Sequence, residues 1–94
     1  MLNVTASPSF SRIAKKLHAK DKKVLDEAIQ WIAVNLQSGE EKKGDLAGVF
    51  VYKFKLNLQE TLLAFELKPD KSKPSELVLL AVGPHENFYA TLKL

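Results

Sequence analysis

Residues 77–89 read LVLLAVGPHENFY, and the fold turns on how they are parsed. The run Leu77-Val78-Leu79-Leu80-Ala81-Val82 is short and purely apolar, as expected of a buried central strand. Gly83-Pro84 ends strand pairing and turns the backbone. His85, Glu86, Asn87 and Tyr89 follow at once, all with side chains able to move protons or hold polar groups. A rigid strand that delivers polar groups at its carboxyl end is a common way to build a site.

The segment before this strand alternates. From Val49 to Leu56, Phe50, Tyr52, Phe54 and Leu56 point one way and Val49, Val51, Lys53 and Lys55 the other. The second of these faces starts apolar and ends basic. Asn57-Leu58-Gln59-Glu60 reads as the turn of an antiparallel hairpin, with Thr61 to Leu67 (TLLAFEL) as the returning strand. Lys68 to Ser75 (KPDKSKPS) is a proline- and lysine-rich loop with little to order it. The strand at Leu77–Val82 then completes a three-stranded meander, and residues 87–94 trail off as a short helix or tail.

The amino-terminal part is helical. Residues 2–5 (LNVT) can form a short first strand, and Ser7-Pro8 is a helix start, with serine as N-cap and proline in the first turn. Phe10, Ile13, Ala14 and Leu17 recur at helical spacing, opposite Arg12, Lys15 and Lys16. Asp21 is expected to cap a second helix. Its apolar face carries Leu25, Ile29, Ile32 and Leu36, widened by Val24, Ala28 and Trp31, and Gly39 is expected to end it. Lys15, Lys16, Lys20, Lys22 and Lys23 make a basic elbow between the helices. Residues 40–45 read as a charged connector. Helices grouped beside an antiparallel sheet predict an α+β fold of two layers: an N-terminal strand and a helical hairpin packed on a twisted antiparallel β-sheet.

Ninety-four residues suit one domain, spanning 1–94. A composition 46% hydrophobic and 27% charged is that of an ordinary globular chain. With no cysteine, disulfides and cysteine-based metal sites or nucleophiles are excluded. Met1-Leu2-Asn3-Val4 has no basic start for a signal peptide, and no apolar run approaches the roughly 20 residues a membrane helix needs. A soluble, cytoplasmic protein is therefore expected. Of the 14 basic residues only Arg12 is arginine. Lysine attracts phosphate as a flexible point charge, whereas arginine clamps it bidentately. A lysine surface with net charge +3 suits loose contact with nucleic acid or an acidic protein, and equally serves solubility.

No glycine-rich phosphate loop, zinc motif or serine nucleophile elbow is present, and the spacing of His18 and His85 offers no metal site. His85 is the best candidate for acid–base work, because imidazole titrates near neutrality; its plainer use is to cap the segment after Pro84 or bond Glu86. Tyr89, four residues on, falls on the same side of a helical turn, or simply packs the tail on the sheet. Lys53 and Lys55 share a strand face and could hold successive phosphates, or keep a wet sheet edge from aggregating. Asn87 is a second polar contact or a turn residue, and His18 reads as surface.

Taken together, the helical hairpin ending at Gly39, KKGDLAGVFVYKF (42–54), LLAFEL (62–67) and LVLLAVGPHENFY (77–89) resemble the RelE/ParE superfamily of toxins from type II toxin–antitoxin pairs. The resemblance covers nearly the whole chain. It implies two helices on a twisted antiparallel sheet. It implies a ribosome-dependent endoribonuclease that cuts messenger RNA through the 2′-hydroxyl, or else a ParE-like inhibitor of DNA gyrase that acts by binding. His85 stands where YafQ-like members carry histidine in a Gly-x-His turn, and Tyr89 resembles the catalytic aromatic near the C-terminus. Lys53 stands where many relatives place a strand arginine. The arginine usual near the start of the next strand would fall at about Leu62, which favours the gyrase alternative. The implied partners are a cognate acidic antitoxin and the ribosome with its message, with no cofactor, metal or membrane.

Overall fold

The computed structural model describes residues 2–44, 47–69, 72–84 and 88. The chain order is β1 (Asn3–Ala6), α1 (Pro8–Lys15), α2 (Ala19–Val34), β2 (Glu40–Glu41), β3 (Val49–Leu56), β4 (Gln59–Lys68) and β5 (Glu76–Pro84). The five strands form one sheet in the order β1-β5-β4-β3-β2. The meander β3-β4-β5 is antiparallel as expected. β1 adds to the outer edge of β5 in parallel, so the sheet is mixed, and this α+β architecture is the fold class the sequence predicts.

The helices cover one face. Phe10 of α1 and Leu25 and Ile32 of α2 bury against Phe50, Leu63, Phe65, Leu67, Leu77, Leu79 and Val82 of the sheet. Ser7 sets α1 in place. Its Oγ accepts from the Phe10 N–H at 3.1 Å, the N-cap bond expected of this residue, and donates to the Leu80 carbonyl at 2.8 Å. The Ser7 N–H reaches the Leu79 carbonyl at 2.9 Å. The helix start is thus tied to an irregularity in β5. Ala64 pairs with Ala81 but Phe65 pairs with Leu79, so Leu80 is an extra, unpaired residue. This bulge inverts the alternation beyond it. Leu77, Leu79 and Val82 face the helices, while Ala81 joins the opposite face. An all-apolar strand gives no periodicity from which such a shift could be read.

Several local expectations change. Asp21 does not cap α2. The helix starts at Ala19 with His18 in the N-cap position and no side-chain cap bond. Asp21 instead sits buried inside the first turn and accepts from Asn57 Nδ2 at 3.0 Å, which fastens α2 to the β3–β4 turn. That turn is Asn57-Leu58 alone, because Gln59 and Glu60 already belong to β4. Both turn residues have positive φ, 54° and 65°, matching the tight hairpin turns that suit the right-handed strand twist. Residues 40–45 are not only a connector, since Glu40 and Glu41 pair with Val51 and Phe50 as a short edge strand. Trp31, expected to widen the buried stripe, is 52% exposed.

Gly39 does not end α2, which stops at Val34 with Asn35 as its C-cap. Glycine is needed there for space. A Cβ on Gly39 would lie 2.7 Å from Phe65 Cζ and 3.3 Å from Phe50 Cβ. Gly39→Ala is expected to cost about 1–3 kcal/mol by overpacking, read as a lower urea midpoint at unchanged slope. Phe65→Leu in the same chain should recover part of that loss, because it removes the end of the ring that the new methyl meets.

Candidate functional site

The sheet face away from the helices carries a second, smaller cluster. Val51, Leu62, Ala64 and Ala81 are buried there beneath Phe88, with Val49 and Leu80 packed beside them. Strand alternation puts Lys53 and Lys55 on this face, and both are exposed. Cross-strand register gives the site its frame. Lys53 pairs with Leu62, and Leu62 pairs with Gly83, so the three stand in one row across β3, β4 and β5. Two strand spacings separate Lys53 from Gly83, roughly 10 Å. The bulge at Leu80 is what puts Gly83 on this face, because without it the residue would face the helices.

The lysines do not stand alone. Lys53 Nζ lies 3.8 Å from Glu60 Oε2, the diagonal neighbour on β4. Lys42 Nζ donates to Glu40 Oε1 at 2.6 Å. The Glu40 carboxyl is held below the ordinary carboxylate range, chiefly by that hydrogen bond and by the Lys42 charge; desolvation opposes this and Lys53 adds to it. Ser38, Glu40, Lys42, Val51, Lys53 and Leu62 enclose an open cleft of about 410 Å³ beside the Lys53 row. Glu40, Lys42 and Glu60 were not among the expected site residues. The charged run Glu40-Glu41-Lys42-Lys43 directly after Gly39 was the only signal for the first two, and it fits a connector equally well.

His85, Asn87 and Tyr89, with Glu86, lie outside the described residues. The flanking positions are described. Pro84 ends β5, and Phe88 is 4% exposed against the second cluster, where a Cβ on Gly83 would come within 3.8 Å of its ring. Pro84 and Phe88 also line an apolar hollow of about 430 Å³ with Ile13, Leu17, Leu56 and Val82. The structure therefore brings Lys53 and Lys55 together, and sets the end of β5 level with Lys53. His18 is exposed at the start of α2, as expected of a surface residue. Among the described residues no group of three or more His, Asp or Glu side chains is arranged to hold a metal ion. No helix among them is long and apolar enough to cross a membrane.

Chains of solved toxin–antitoxin complexes share this fold. The chain is similar to one in the RelBE2 toxin–antitoxin complex from Mycobacterium tuberculosis, at 20% identity over 89% of this chain and 91% of that one, with a TM-score of 0.70. A chain of the intact Escherichia coli RelBE complex matches at 15% identity over 92% and 99%, with a TM-score of 0.66. The archaeal RelE–RelB complex from Pyrococcus horikoshii matches at 13% identity over 90% and 96%, with a TM-score of 0.54. At such identities the likeness is one of fold. No curated protein matches in sequence. The family model for the ParE-like toxin of type II bacterial toxin–antitoxin systems matches residues 4–93, and the chain belongs to that family.

Proposed function

We propose that this toxin, a single domain over residues 1–94, arrests translation in the cytoplasm by cutting messenger RNA on the ribosome. The observation that carries the reading is the row Lys53–Leu62–Gly83. It sets an exposed ammonium level with the strand end from which the chain leads to His85. In the proposed reaction the 2′-hydroxyl loses its proton to a base and attacks the adjacent phosphorus. The bond from phosphorus to the 5′-oxygen breaks, and that oxygen takes a proton from an acid, leaving a cyclic phosphate. His85 serves as base or acid and Tyr89 orients the substrate. Lys53 and Lys55, with Asn87, hold the phosphate oxygens whose charge grows in the transition state. This chemistry calls on no cofactor or metal. The partner held in the resting cell is an acidic antitoxin; titratable capture of the neighbouring gene's product by the purified chain tests that directly.

Primer-extension mapping of messages after brief induction tests the nuclease reading, with new ends inside translated codons as the expected result. Unbroken messages in growth-arrested cells would overturn it. The variant carrying both Lys53→Ala and Lys55→Ala is expected to weaken RNA binding by about tenfold per lysine. Its log–log salt slope should fall by roughly 0.7 for each phosphate that is no longer neutralised.

One feature supports the gyrase alternative. Leu62, in the middle of the Lys53 row, is 2% exposed, and Glu60 lies beside Lys53, so the face holds less positive charge than its lysines suggest. Inhibition of supercoiling by purified toxin, with messages intact, would favour that reading.

A further inference from the structure

Leu58 stands at the tip of the β3–β4 hairpin with φ 65° and 93% of its surface exposed. The left-handed region is rarely adopted by bulky L side chains, and the second place of such a turn usually belongs to glycine. The side chain gains no packing in return for the conformation it holds. A backbone outlier without an internal use points to a use outside the molecule.

The surroundings say what kind of partner fits. Asn57 Nδ2 donates to Asp21 Oδ2 at 3.0 Å, so the tip is fastened to the first turn of α2. That turn carries Lys20, Lys22 and Lys23, all exposed, and Lys55 lies on the strand leading into the tip. Asp21 is buried in the Asn57 bond, Glu60 stands directly across from Lys55 and lies 3.8 Å from Lys53, and Asp26 and Glu27 come a turn further along α2. The tip is thus an apolar point fastened to a helical turn that carries three exposed lysines. The other exposed large apolar residues among those described, Val4, Trp31 and Val34, lie on β1 and toward the far end of α2. A single apolar residue offers little area to a protein surface, but it suffices to wedge against one base while ammonium groups hold phosphates.

We propose that the hairpin tip and the lysines of the first turn of α2 form a second RNA-contacting surface, with Leu58 packed against an unpaired base. This rests on the reading of the chain as an RNA-directed toxin. It is distinct from the Lys53 row and would hold structured RNA rather than the bond to be cut.

Anisotropy of a fluorescein-labelled RNA stem-loop with an unpaired arm tests it, using the full chain with His85→Ala as the parent. Leu58→Gly is expected to keep or raise the melting temperature while weakening RNA binding about fivefold, the low end for a base contact. If Leu58→Gly does not fold, Leu58→Asn, which tolerates the same φ, takes its place. Replacing Lys20, Lys22 and Lys23 by glutamine should lower the log–log salt slope by about 2, at roughly 0.7 per phosphate. Unchanged affinity in the Leu58 variant overturns the proposal. So does displacement of the labelled RNA by polyglutamate as readily as by unlabelled RNA, which would assign the surface to an acidic protein. The assay reads binding and no cleavage, so its failure is separable from failure of the nuclease reading, which shows as intact messages with the wild type.

Discussion

Phe65→Ala is expected to lower the unfolding free energy by about 3–5 kcal/mol. A domain of this size holds about 5–14 kcal/mol in all, so the variant should lose a large share of its stability. Phe65 is fully buried on β4, with β3 and β5 on either side. Its ring stacks on Phe50 with centroids 5.5 Å apart and planes 16° from parallel. Its strand neighbour on the other side is Leu79, the last residue before the bulge. The end of the ring lies under Gly39, where backbone rather than a movable side chain forms the wall. A cavity here is therefore bounded by the sheet and by a segment that cannot fold inward, so little collapse offsets the missing ring. Urea unfolding followed by circular dichroism checks this, with the midpoint falling and the slope held. Phe65→Leu should cost distinctly less, because most of the volume stays. Equal losses in the two variants would mean that the stacking, not the volume, carries the stability.

The parts of this fold that were legible in the sequence are those where a residue type has one dominant local use. Ser7-Pro8 forecast the start of α1 because a hydroxyl accepting from the Phe10 N–H and a proline lacking its own N–H both belong there. The alternation from Val49 to Leu56 forecast both faces of β3, including the pair Lys53 and Lys55. Other residues have two uses, and tertiary packing chose between them. Glycine ends helices and also admits close neighbours; at Gly39 the second applies, because Phe65 occupies the space. Aspartate caps helices and also anchors loops; Asp21 does the latter, because Asn57 reaches it across the hairpin turn. Apolar runs carry no phase at all. The bulge at Leu80, which sets Gly83 on the same face as Lys53, is therefore invisible in LVLLAV, and with it the geometry of the candidate site. Glu40 and Lys42 were hidden for a related reason, since a two-residue edge strand has too few residues to show alternation.

His85→Ala is expected to reduce message cleavage by about 10²–10⁴-fold, the usual yield of a positioned acid or base. The case rests on chain reach and on charge. His85 follows Gly83 by two residues, and two residues of chain span at most about 7 Å. Gly83 stands in the row of Lys53, about 10 Å across the sheet, so an imidazole and an ammonium can address opposite sides of one phosphate. The groups that compete for Lys53 are carboxylates. Glu60 lies 3.8 Å away, and Glu40 stays ionised to lower pH than an ordinary carboxylate. Those carboxylates repel a phosphate, so binding charge alone supplies less of the rate here, and proton transfer must supply more. The loss should accordingly fall on kcat rather than KM. The pH profile adds a sharper readout. If His85 is the base, wild-type cleavage rises through a limb as the imidazole loses its proton; if it is the acid, cleavage falls through that limb. Either limb should vanish in the variant, while melting temperature and antitoxin capture stay unchanged. A variant that cleaves as fast as the wild type with the same limb would remove His85 from the chemistry and leave its proton-transfer role to another group. A variant that loses antitoxin capture along with cleavage would instead make the residue structural.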